Sequence, residues 1–454
     1  MIAGVARRET TTTCSILFVS ACAIFLASPT TQLADSRYAL LVSEQLLTHG
    51  TLALDAYAPL GLGSAGGRRV GSKLPYQFWT ADDHVYYYFP VGTSVLALPF
   101  VAVATAAGFS VVGPNGEYQE NVERQLQRAL AALLMAAVTV IFYLTARLTL
   151  PSALAVSVAV AGALGTQVWS TASRALWSHT FQILLVGLAL WLVLRGAVEK
   201  RSPRPLLLAT LLSWAYIVRP TSSVSILVIS GYVAFCRPKD LFIFGKTGCF
   251  WMVLFVAHAW LTYGMLLPPY YLAQRLRFGD FWSALAGHLV SPARGLLVYV
   301  PLAGLVGFLV VRHRTLLRPR SLAITGCAAV VGHVFVASAF PHWWGGGCYG
   351  PRLLTDLVPW LVLLGALGLD AHARRATRGT PVAPRPGRTL ARPLAIVAGT
   401  LLVASVYMNG VGAVSRHGME WNATPIHVRE APERLWDWRD PPFLRWLAPE
   451  RGSR

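Results

Sequence analysis

Residues 91–112 read VGTSVLALPFVAVATAAGFSVV, and whether they cross a membrane decides the topology of the whole chain. An α-helix needs about 20 apolar residues to cross a bilayer, so this stretch is long enough. If it crossed, every later loop would change sides. The basic loops at Arg147, 195–205 and 312–320 alternate regularly only if it does not cross. The sequence therefore predicts a helix embedded in, or lying on, the outer side of the membrane.

Composition is that of a membrane protein. Only 13% of the 454 residues are charged and the mean hydropathy is +0.51, whereas soluble domains carry about 25% charged residues. Apolar runs near bilayer length recur along the sequence, and they do not show the short alternating strands of a membrane barrel. The sequence predicts an all-α polytopic membrane protein, with a transmembrane domain over 1–412 and an extracytoplasmic tail over 413–454.

Basic residues give the predicted orientation, because membrane insertion leaves Lys and Arg on the cytoplasmic side. By this rule the N-terminus lies inside, residues 31–120 form a long first external loop, and the tail lies outside. The bacterial cytoplasmic membrane is the expected location. About eleven spans are predicted, at 13–30, 124–146, 152–171, 180–196, 205–218, 221–236, 248–267, 295–311, 321–340, 355–371 and 393–412.

The formal charge of +19 is interpreted as this topology signal. A nucleic-acid surface is not expected, because the basic residues lie mainly in short loops between apolar runs. Those loops contain no phosphate-binding or dinucleotide fingerprint. The six cysteines show no metal-site spacing and no disulfide framework. The apolar run 13–29 fits a signal peptide or, as we expect, an uncleaved anchor.

Directly after the first span the chain reads ADSRYALLVSEQLLTHG, residues 34–50. Apolar residues at helical spacing predict an amphipathic helix from Asp35 to His49 on the outer membrane face, with Gly50 as its stop. Asp35 then has two interpretations. It is a helix N-cap, since Asp is a preferred cap, or an active-site carboxylate, and the two roles are compatible.

This start resembles that of the GT-C glycosyltransferases, in particular the bacterial relatives of protein O-mannosyltransferases and of the lipid A aminoarabinose transferase. Later segments look like the family's first external loop, the beginning of a later span, an external corner and a C-terminal tail. These segments are DDHVYYYFPVGTSVLALPF (82–100), SPARGLLVYVP (291–301), WWGGGCYGPRLLTDLVP (343–359) and WNATPIHVREAPERLWDWRDPPFLR (421–445).

The resemblance implies a GT-C-like helical bundle and a sugar donor carried on a polyprenyl phosphate. It also implies that Asp35 takes the family's catalytic acidic position and Tyr38 the aromatic position of an Asp-Glu-x-x-Tyr setting. Ser36 departs from that setting, since many relatives have a second acid there, and this puts a metal requirement in doubt. The implied partners are the lipid-linked donor, a lipid or glycan acceptor and membrane lipids.

Sugar transfer from a lipid phosphate needs a base for the acceptor's proton and positive charge at the departing phosphate. Asp35 is the expected base, with Arg37 and Tyr38 beside it as substrate contacts. Arginine suits the phosphate because its guanidinium binds two oxygens at once. The candidate arginines in the predicted external loops are Arg174, Arg219, Arg275, Arg294 and Arg352. Anchoring at lipid headgroups is the alternative for Arg352, and a solvated loop is favoured for Arg275.

Further polar residues are candidates for contacts with the sugar or the acceptor. Asp82, Asp83 and His84 form a compact cluster in the sequence, and His179 lies at the top of a predicted span. The simpler interpretations are a solvated loop and a satisfied interfacial histidine. No local spacing supports a metal site built from Asp35, Asp82 and His84. No cofactor is therefore expected, and a divalent cation is the alternative.

These patterns predict a membrane glycosyltransferase that moves a sugar from a polyprenyl-phosphate donor to an acceptor on the extracytoplasmic side. Two alternatives stay open: a transporter or flippase of a lipid-linked sugar, and a catalytically inactive GT-C-like scaffold that binds lipid. A transporter would carry ionisable residues in mid-span and paired broken helices. Here the polar residues gather in the predicted external loops.

Overall fold

The computed structural model describes residues 2–57, 75–376 and 392–447. Helices dominate this part of the chain, and its strands form one two-stranded hairpin. The Arg- and Pro-rich residues 377–391 lie outside the described part of the chain. The helices are α1 (Ile2–Ala27), α2 (Ala39–His49), α3 (Gly92–Ala106), α4 (Glu120–Arg147), α5 (Ser152–Leu164), α6 (Ser178–Val198), α7 (Pro205–Val218), α8 (Ser223–Cys236), α9 (Leu241–Tyr263), α10 (Phe281–Val290), α11 (Leu296–Tyr299), α12 (Leu302–Arg312), α13 (Arg320–Ser338), α14 (Val358–Ala376), α15 (Arg392–Val414) and α16 (Arg416–Glu420), and the strands are β1 (Phe78–Ala81) and β2 (His84–Tyr87).

Several helices are long enough to cross a bilayer. Within the described ranges there are seven that are both long and apolar enough, namely α1, α4, α6, α9, α13, α14 and α15. The chain is therefore a helical, membrane-embedded protein, as expected. The count of eleven spans stays a prediction. Four of the predicted spans are shorter than the about 20 residues that a perpendicular span needs: α5, α7, α8 and α12 have 13, 14, 14 and 11 residues.

Two helices organise the core. α4 packs against α1, α5 and α6, and α14 packs against α4, α5, α6, α12 and α13. On α4 the buried residues include Ala131, Ala132 and Ala136, and such small side chains let neighbouring helices approach closely. On α14 the large side chain of Trp360 is fully buried. Because both helices begin at the same end of the bundle, the segments that precede them also come together there.

The distribution of Lys and Arg assigns each helix end to one side of the membrane. Two pairs of helix ends assigned to the same side are in contact. Thr30, which follows α1, donates a hydrogen bond to the carbonyl of Ala413 (2.7 Å) at the end of α15. At the opposite end of the bundle, Ser202 before α7 donates to Asp240 (2.8 Å) before α9. Each of these two contacts joins helix ends that the predicted alternation places on the same side, and the alternation itself stays a prediction. Which end faces the cytoplasm remains a prediction.

The helix after α1 begins later than expected. α2 starts at Ala39, and Tyr38 occupies its N-cap with φ of 74°, so the interpretation of Asp35 as the cap is wrong. Glu123 of α4 supplies the capping group instead, because its carboxylate accepts hydrogen bonds from the backbone N–H of Tyr38 (3.0 Å) and Leu40 (2.8 Å). A carboxylate there pairs the free N–H groups and complements the positive end of the helix dipole.

α2 is not a surface helix. All of Ala39–Gln45 are buried, since α3 packs against this helix and α4 holds its start. The expected amphipathic helix on the outer face is therefore wrong for these residues, and only the last turn, to His49, is exposed. The expected stop is correct. Gly50 has φ of 67°, a left-handed conformation that glycine adopts without steric cost.

The stretch 91–112 forms α3, a helix of 15 residues. One side packs against α2 and α7, whereas Phe100 and Val103 are exposed. At this length the helix falls short of the about 20 residues of a perpendicular span. An embedded or surface-lying helix fits these observations, and its position in the membrane remains a prediction.

The start of α3 touches α7 so closely that only glycine fits. A Cβ added to Gly92 would lie 2.6 Å from the carbonyl oxygen of Ile217, an atom of the backbone. We expect Gly92→Ala to lower the free energy of unfolding by about 1–3 kcal/mol, the usual cost of overpacking. The measurement is detergent-solubilised thermal unfolding. Gly231→Ala is the matched control, because a Cβ at Gly231 in α8 meets nothing within 4 Å. Equal melting temperatures for the two variants would contradict the prediction.

Candidate functional site

Asp35 lies in the turn between α1 and α2, where its carboxylate pairs with an arginine that is distant in sequence. The Nη2 atom of Arg352 donates to Oδ2 of Asp35 across a separation of 317 residues. The hydroxyl of Tyr76 donates to Oδ1 of Asp35 over 3.3 Å, and the hydroxyl of Tyr87 donates to the backbone carbonyl of Asp35. The Asp35 side chain is still 24% exposed. A carboxylate that is held by protein on several sides thus remains open to a ligand.

Side chains of α4 fix the turn that contains Asp35, referred to here as the Asp35 turn. Nε2 of Gln127 donates to the carbonyl of Ser36 (2.7 Å), and its Oε1 accepts from the backbone N–H of Leu176 (3.0 Å). One turn earlier, Glu123 holds the start of α2. α4 therefore sets the Asp35 turn and the segment before α6 at a fixed distance from each other.

Arg352 begins a six-residue 3₁₀-helix, Arg352–Leu357, that leads into α14. Its guanidinium carbon lies 3.9 Å from the centroid of the Trp177 ring, and Nη1 donates to the carbonyl of Gly345 (3.1 Å). Its side chain is only 11% exposed. Nε of Arg352 is buried and has no hydrogen-bond partner among the described residues. The guanidinium is thus oriented by an aromatic face and keeps one unused donor.

A cleft opens beside this ion pair. Its volume is about 20 Å³, enough for one water molecule, so a larger ligand requires the surrounding side chains to move apart. Its lining combines one carboxylate with hydroxyl groups and several aromatic rings. The main lining residues are Asp35, Tyr87, Phe89, Trp177, Ser178 and Tyr270. Such a lining offers hydrogen bonds and flat apolar faces to the same small ligand.

Tyr76 keeps its proton at neutral pH. Desolvation, and next the charge of Asp35, raise the pKa of Tyr76 to about 12. The hydroxyl therefore acts as a hydrogen-bond donor to the carboxylate over the whole physiological range.

A second charged centre lies next to the cleft, around Asp356. Its side chain is 2% exposed. Oδ2 of Asp356 accepts from Nε of Arg219 (2.7 Å) and from the hydroxyl of Thr221 (2.6 Å), and Oδ1 lies 2.7 Å from Nδ1 of His179. His333 approaches Oδ2 at 3.8 Å. Buried charges are costly unless they are paired and hydrogen-bonded, and here the carboxylate is satisfied by residues from α6, α13 and the turn after α7.

The two centres are joined by short segments of chain. Arg352 and Asp356 belong to the same 3₁₀-helix. Ser178, which lines the cleft, accepts a hydrogen bond from Nη1 of Arg219 (3.1 Å). The expected site residues His179, Arg219 and Arg352 are therefore brought together, the first two around Asp356 and the third at Asp35.

Two of the candidate arginines, Arg174 and Arg294, donate hydrogen bonds to backbone carbonyls. Arg174 is fully buried and donates to the carbonyls of Phe25 (2.6 Å) and Ser28 (2.9 Å) at the end of α1. Arg294 donates to the carbonyl of Trp344 (2.8 Å) and to Oδ1 of Asn422 (2.6 Å) in the C-terminal tail. Both side chains thus have structural partners and lie outside the cleft lining.

Residues 82–84 have two different structural roles in the hairpin. Asp82 and Asp83, with φ of 47° and 61°, form the two-residue turn between β1 and β2, as in a type I′ hairpin. His84 contacts Asp55 instead, with Nδ1 2.6 Å from Oδ2, while Oδ1 of Asp55 accepts from the N–H of Val85 (2.9 Å). The three residues are adjacent in the hairpin, but His84 is paired with Asp55 and not with either neighbouring aspartate.

The neighbours of Asp35 also have structural partners. Arg37 pairs with Glu120 over 3.2 Å, and the Tyr38 ring packs between those of Phe78 and Tyr118 at 4.7 and 4.8 Å. Neither Arg37 nor Tyr38 belongs to the cleft lining. Their role as substrate contacts remains a prediction that the geometry of this state does not favour.

Arg275 differs from the solvated side chain that was expected. It is half-buried, its guanidinium carbon lies 4.0 Å from the centroid of the Tyr270 ring, and it donates to the Tyr270 carbonyl (3.1 Å). Tyr270 itself lines the cleft. Arg275 thus packs against the Tyr270 ring and fixes the position of this cleft residue.

In the described part of the chain, no group of three or more His, Cys, Asp and Glu side chains is arranged to hold a metal ion. The metal ligands considered from the sequence were Asp35, Asp82 and His84. His84 is engaged with Asp55 and Asp35 with Arg352, so the three do not converge.

Sequence reasoning missed Asp356, Glu123 and Tyr76. Asp356 was visible as an acid that directly precedes a long apolar run, and an ionisable residue in such a position usually marks a functional site. Tyr76 and Glu123 carried no comparable signal, since each reaches the site only through the fold.

Comparison of the sequence with protein-family models and with curated proteins gave no match. The function must therefore be inferred from the geometry and chemistry of the site.

Proposed function

We propose that this protein is a membrane glycosyltransferase of GT-C type. It transfers a sugar from a polyprenyl-phosphate donor to a lipid or glycan acceptor on the extracytoplasmic side of a bacterial cytoplasmic membrane. One observation carries the proposal: the carboxylate of Asp35, which lines the cleft, is paired with the guanidinium of Arg352, which lies against the cleft residue Trp177.

Asp35 is the general base in this proposal. As the acceptor oxygen bonds to the anomeric carbon of the sugar, its proton passes to an Asp35 carboxylate oxygen. The bond between that carbon and the phosphate oxygen breaks, and polyprenyl phosphate leaves with both electrons of the bond. Attack from the side opposite the phosphate inverts the anomeric centre. A positioned base of this kind contributes about 10²–10⁴-fold to the rate.

Arg352 supplies the positive charge for the departing phosphate. In the structure its guanidinium is paired with the carboxylate of Asp35. On donor binding, the phosphate replaces the carboxylate as the partner of the guanidinium, which leaves Asp35 free to accept a proton. The unused Nε donor of Arg352 and the Trp177 ring beneath the guanidinium support this exchange, since arginine binds phosphate oxygens through two N–H groups at once.

The aromatic lining suits a sugar ring. Phe89, Trp177 and Tyr270 present flat apolar surfaces to the cleft, and Ser178 and Tyr87 add hydroxyl groups. Aromatic side chains combine large apolar area with defined geometry. A pyranose, with one apolar face and hydroxyl groups at its edge, matches both parts of this lining.

Donor turnover by the purified protein tests the proposal. Undecaprenyl-phosphate sugars with radiolabelled hexose or aminopentose are incubated with the protein in lipid nanodiscs, with a membrane lipid and glycan extract as the acceptor source. We expect release of undecaprenyl phosphate and labelled product in equal amounts. Binding of every donor without turnover, in the presence of the extract, would favour the inactive scaffold and would overturn the proposal.

A transporter of lipid-linked sugar is the second candidate, and the Asp356–Arg219 pair favours it. Ionisable groups buried among apolar helices often mark transport pathways, and both side chains are buried. Proteoliposomes loaded with a fluorescent lipid-linked sugar separate the two functions. Movement of the label between leaflets without release of polyprenyl phosphate would establish transport. Turnover without movement would establish transfer.

A further inference from the structure

A second cavity lies at the end of the bundle opposite Asp35, between the end of α6 and the start of α7. Its volume is about 220 Å³. Three of its eight lining residues are arginines, namely Arg195, Arg201 and Arg204. The positive-inside rule assigns this end of the bundle to the cytoplasm.

The cavity carries an excess of positive charge. Glu199 is the single carboxylate in its lining, and it pairs with Arg195 at 2.9 Å but reaches Arg201 only at 4.0 Å. Within the described residues Arg204 has no ion pair. The side chain of Arg201 is 77% exposed. Two guanidinium groups are therefore available to an anion from outside.

The loop that carries these arginines is fixed. The N–H of Arg201 donates to the carbonyl of Gly196 (3.0 Å), back onto the end of α6. Ser202 donates to Asp240 (2.8 Å), and Arg237 donates to the carbonyl of Arg201. These contacts tie the loop to both α6 and the start of α9. An anion that binds here therefore meets a preformed site, which reduces the entropy lost on binding.

Apolar surface continues from the cavity along the helices. Val198 at the end of α6 is 44% exposed, and Leu206 and Leu207 at the start of α7 are 62% and 38% exposed. On the neighbouring helix α9, Phe242 is 78% exposed. A charged cavity that borders exposed apolar helix surface fits a molecule with an anionic head and hydrocarbon chains.

We propose that this cavity binds the headgroup of an anionic phospholipid, with the phosphate held by Arg201 and Arg204 and the acyl chains along the exposed apolar residues of α6, α7 and α9. Arginine binds phosphate through two N–H groups, and basic pockets between transmembrane helices on the cytoplasmic side are suited to such headgroups. The proposal does not depend on the function of the Asp35 cleft.

Binding of fluorescent phosphatidylglycerol to the purified full-length protein in detergent tests the proposal. We expect Arg201→Gln and Arg204→Gln each to weaken binding about 5-fold, and the double variant about 30-fold. Arg314→Gln with Arg318→Gln is the matched control, because both residues are exposed in the loop between α12 and α13 at the same end. The control should bind as tightly as the unmodified protein.

Two competitors separate lipid from free anion. Unlabelled phosphatidylglycerol should displace the probe, whereas inorganic phosphate and phosphatidylcholine at equal concentration should not. Three results would overturn the proposal: unchanged affinity in the double variant, an equal loss in the control variant, or displacement by inorganic phosphate as effective as by the lipid. A single elution peak and an unchanged melting temperature for each variant without lipid establish that it is folded.

Discussion

Asp35→Asn is expected to lower the rate of sugar transfer by at least about 100-fold, because the amide cannot take the acceptor's proton and a general base contributes about 10²–10⁴-fold. The amide has nearly the shape of the carboxylate. Its one oxygen can replace one of the two acceptors used by Tyr76 and Arg352, so the variant loses a hydrogen bond of about 1 kcal/mol and is expected to fold. The measurement is release of undecaprenyl phosphate from the labelled donor, compared at equal protein concentration.

Asp280→Asn is the matched control for this experiment. Asp280 is exposed directly before α10 and its side chain makes no capping hydrogen bond there, so this variant should keep full activity. Donor binding in the Asp35→Asn variant, measured with a polyprenyl-phosphate analogue, should persist. Full transfer activity in Asp35→Asn would remove Asp35 from the role of base. Loss of activity in both variants would attribute the effect to a general disturbance of the protein.

Asp356→Ala is expected to cause the largest loss of stability. The substitution leaves the buried guanidinium of Arg219 without its carboxylate, and removal of one partner of a buried ion pair costs about 3–5 kcal/mol. The measurement is unfolding of the purified protein in mixed detergent micelles, followed by tryptophan fluorescence. Asp280→Ala, at an exposed position before α10, is the control and should unfold like the unmodified protein.

A double substitution distinguishes charge from packing at this centre. Asp356→Asn combined with Arg219→Gln removes both charges and keeps similar shapes. We expect the double variant to be less destabilised than the sum of the two single variants, because neither partner is left as an unpaired buried charge. Additive effects would show that the two side chains stabilise the protein independently, and would contradict the role assigned to the pair.

The sequence predicts the class of fold because the relevant signals are local. Apolar runs and basic loops need no tertiary information, and α7, expected at 205–218, has those limits in the structure. The hairpin carried a local signal as well. The Asp82–Asp83 pair stands between two short alternating stretches, which is typical of a two-residue hairpin turn.

Other parts of the site could not be predicted, because they depend on long-range contacts. Asp35 and Arg352 were each identifiable by type and position, but no local pattern links residues 317 positions apart. The prediction that Asp35 caps α2 was wrong for the same reason. Asp35 had the favoured residue type near the helix start, yet Glu123 supplies the carboxylate from another helix. Local propensity correctly indicated that the start of α2 needs a carboxylate. Tertiary packing determined which residue provides it.

The 3₁₀-helix Arg352–Leu357 has a kinetic consequence. Asp356 anchors this segment to α6 and to the turn after α7, while Arg352 projects from its first residue. The guanidinium can therefore change partners by rotation about its own side-chain bonds while the backbone stays in place. Collective displacements of whole helices need microseconds or longer. Restoring the Asp35–Arg352 pair after each event therefore requires the movement of one side chain and no displacement of a helix.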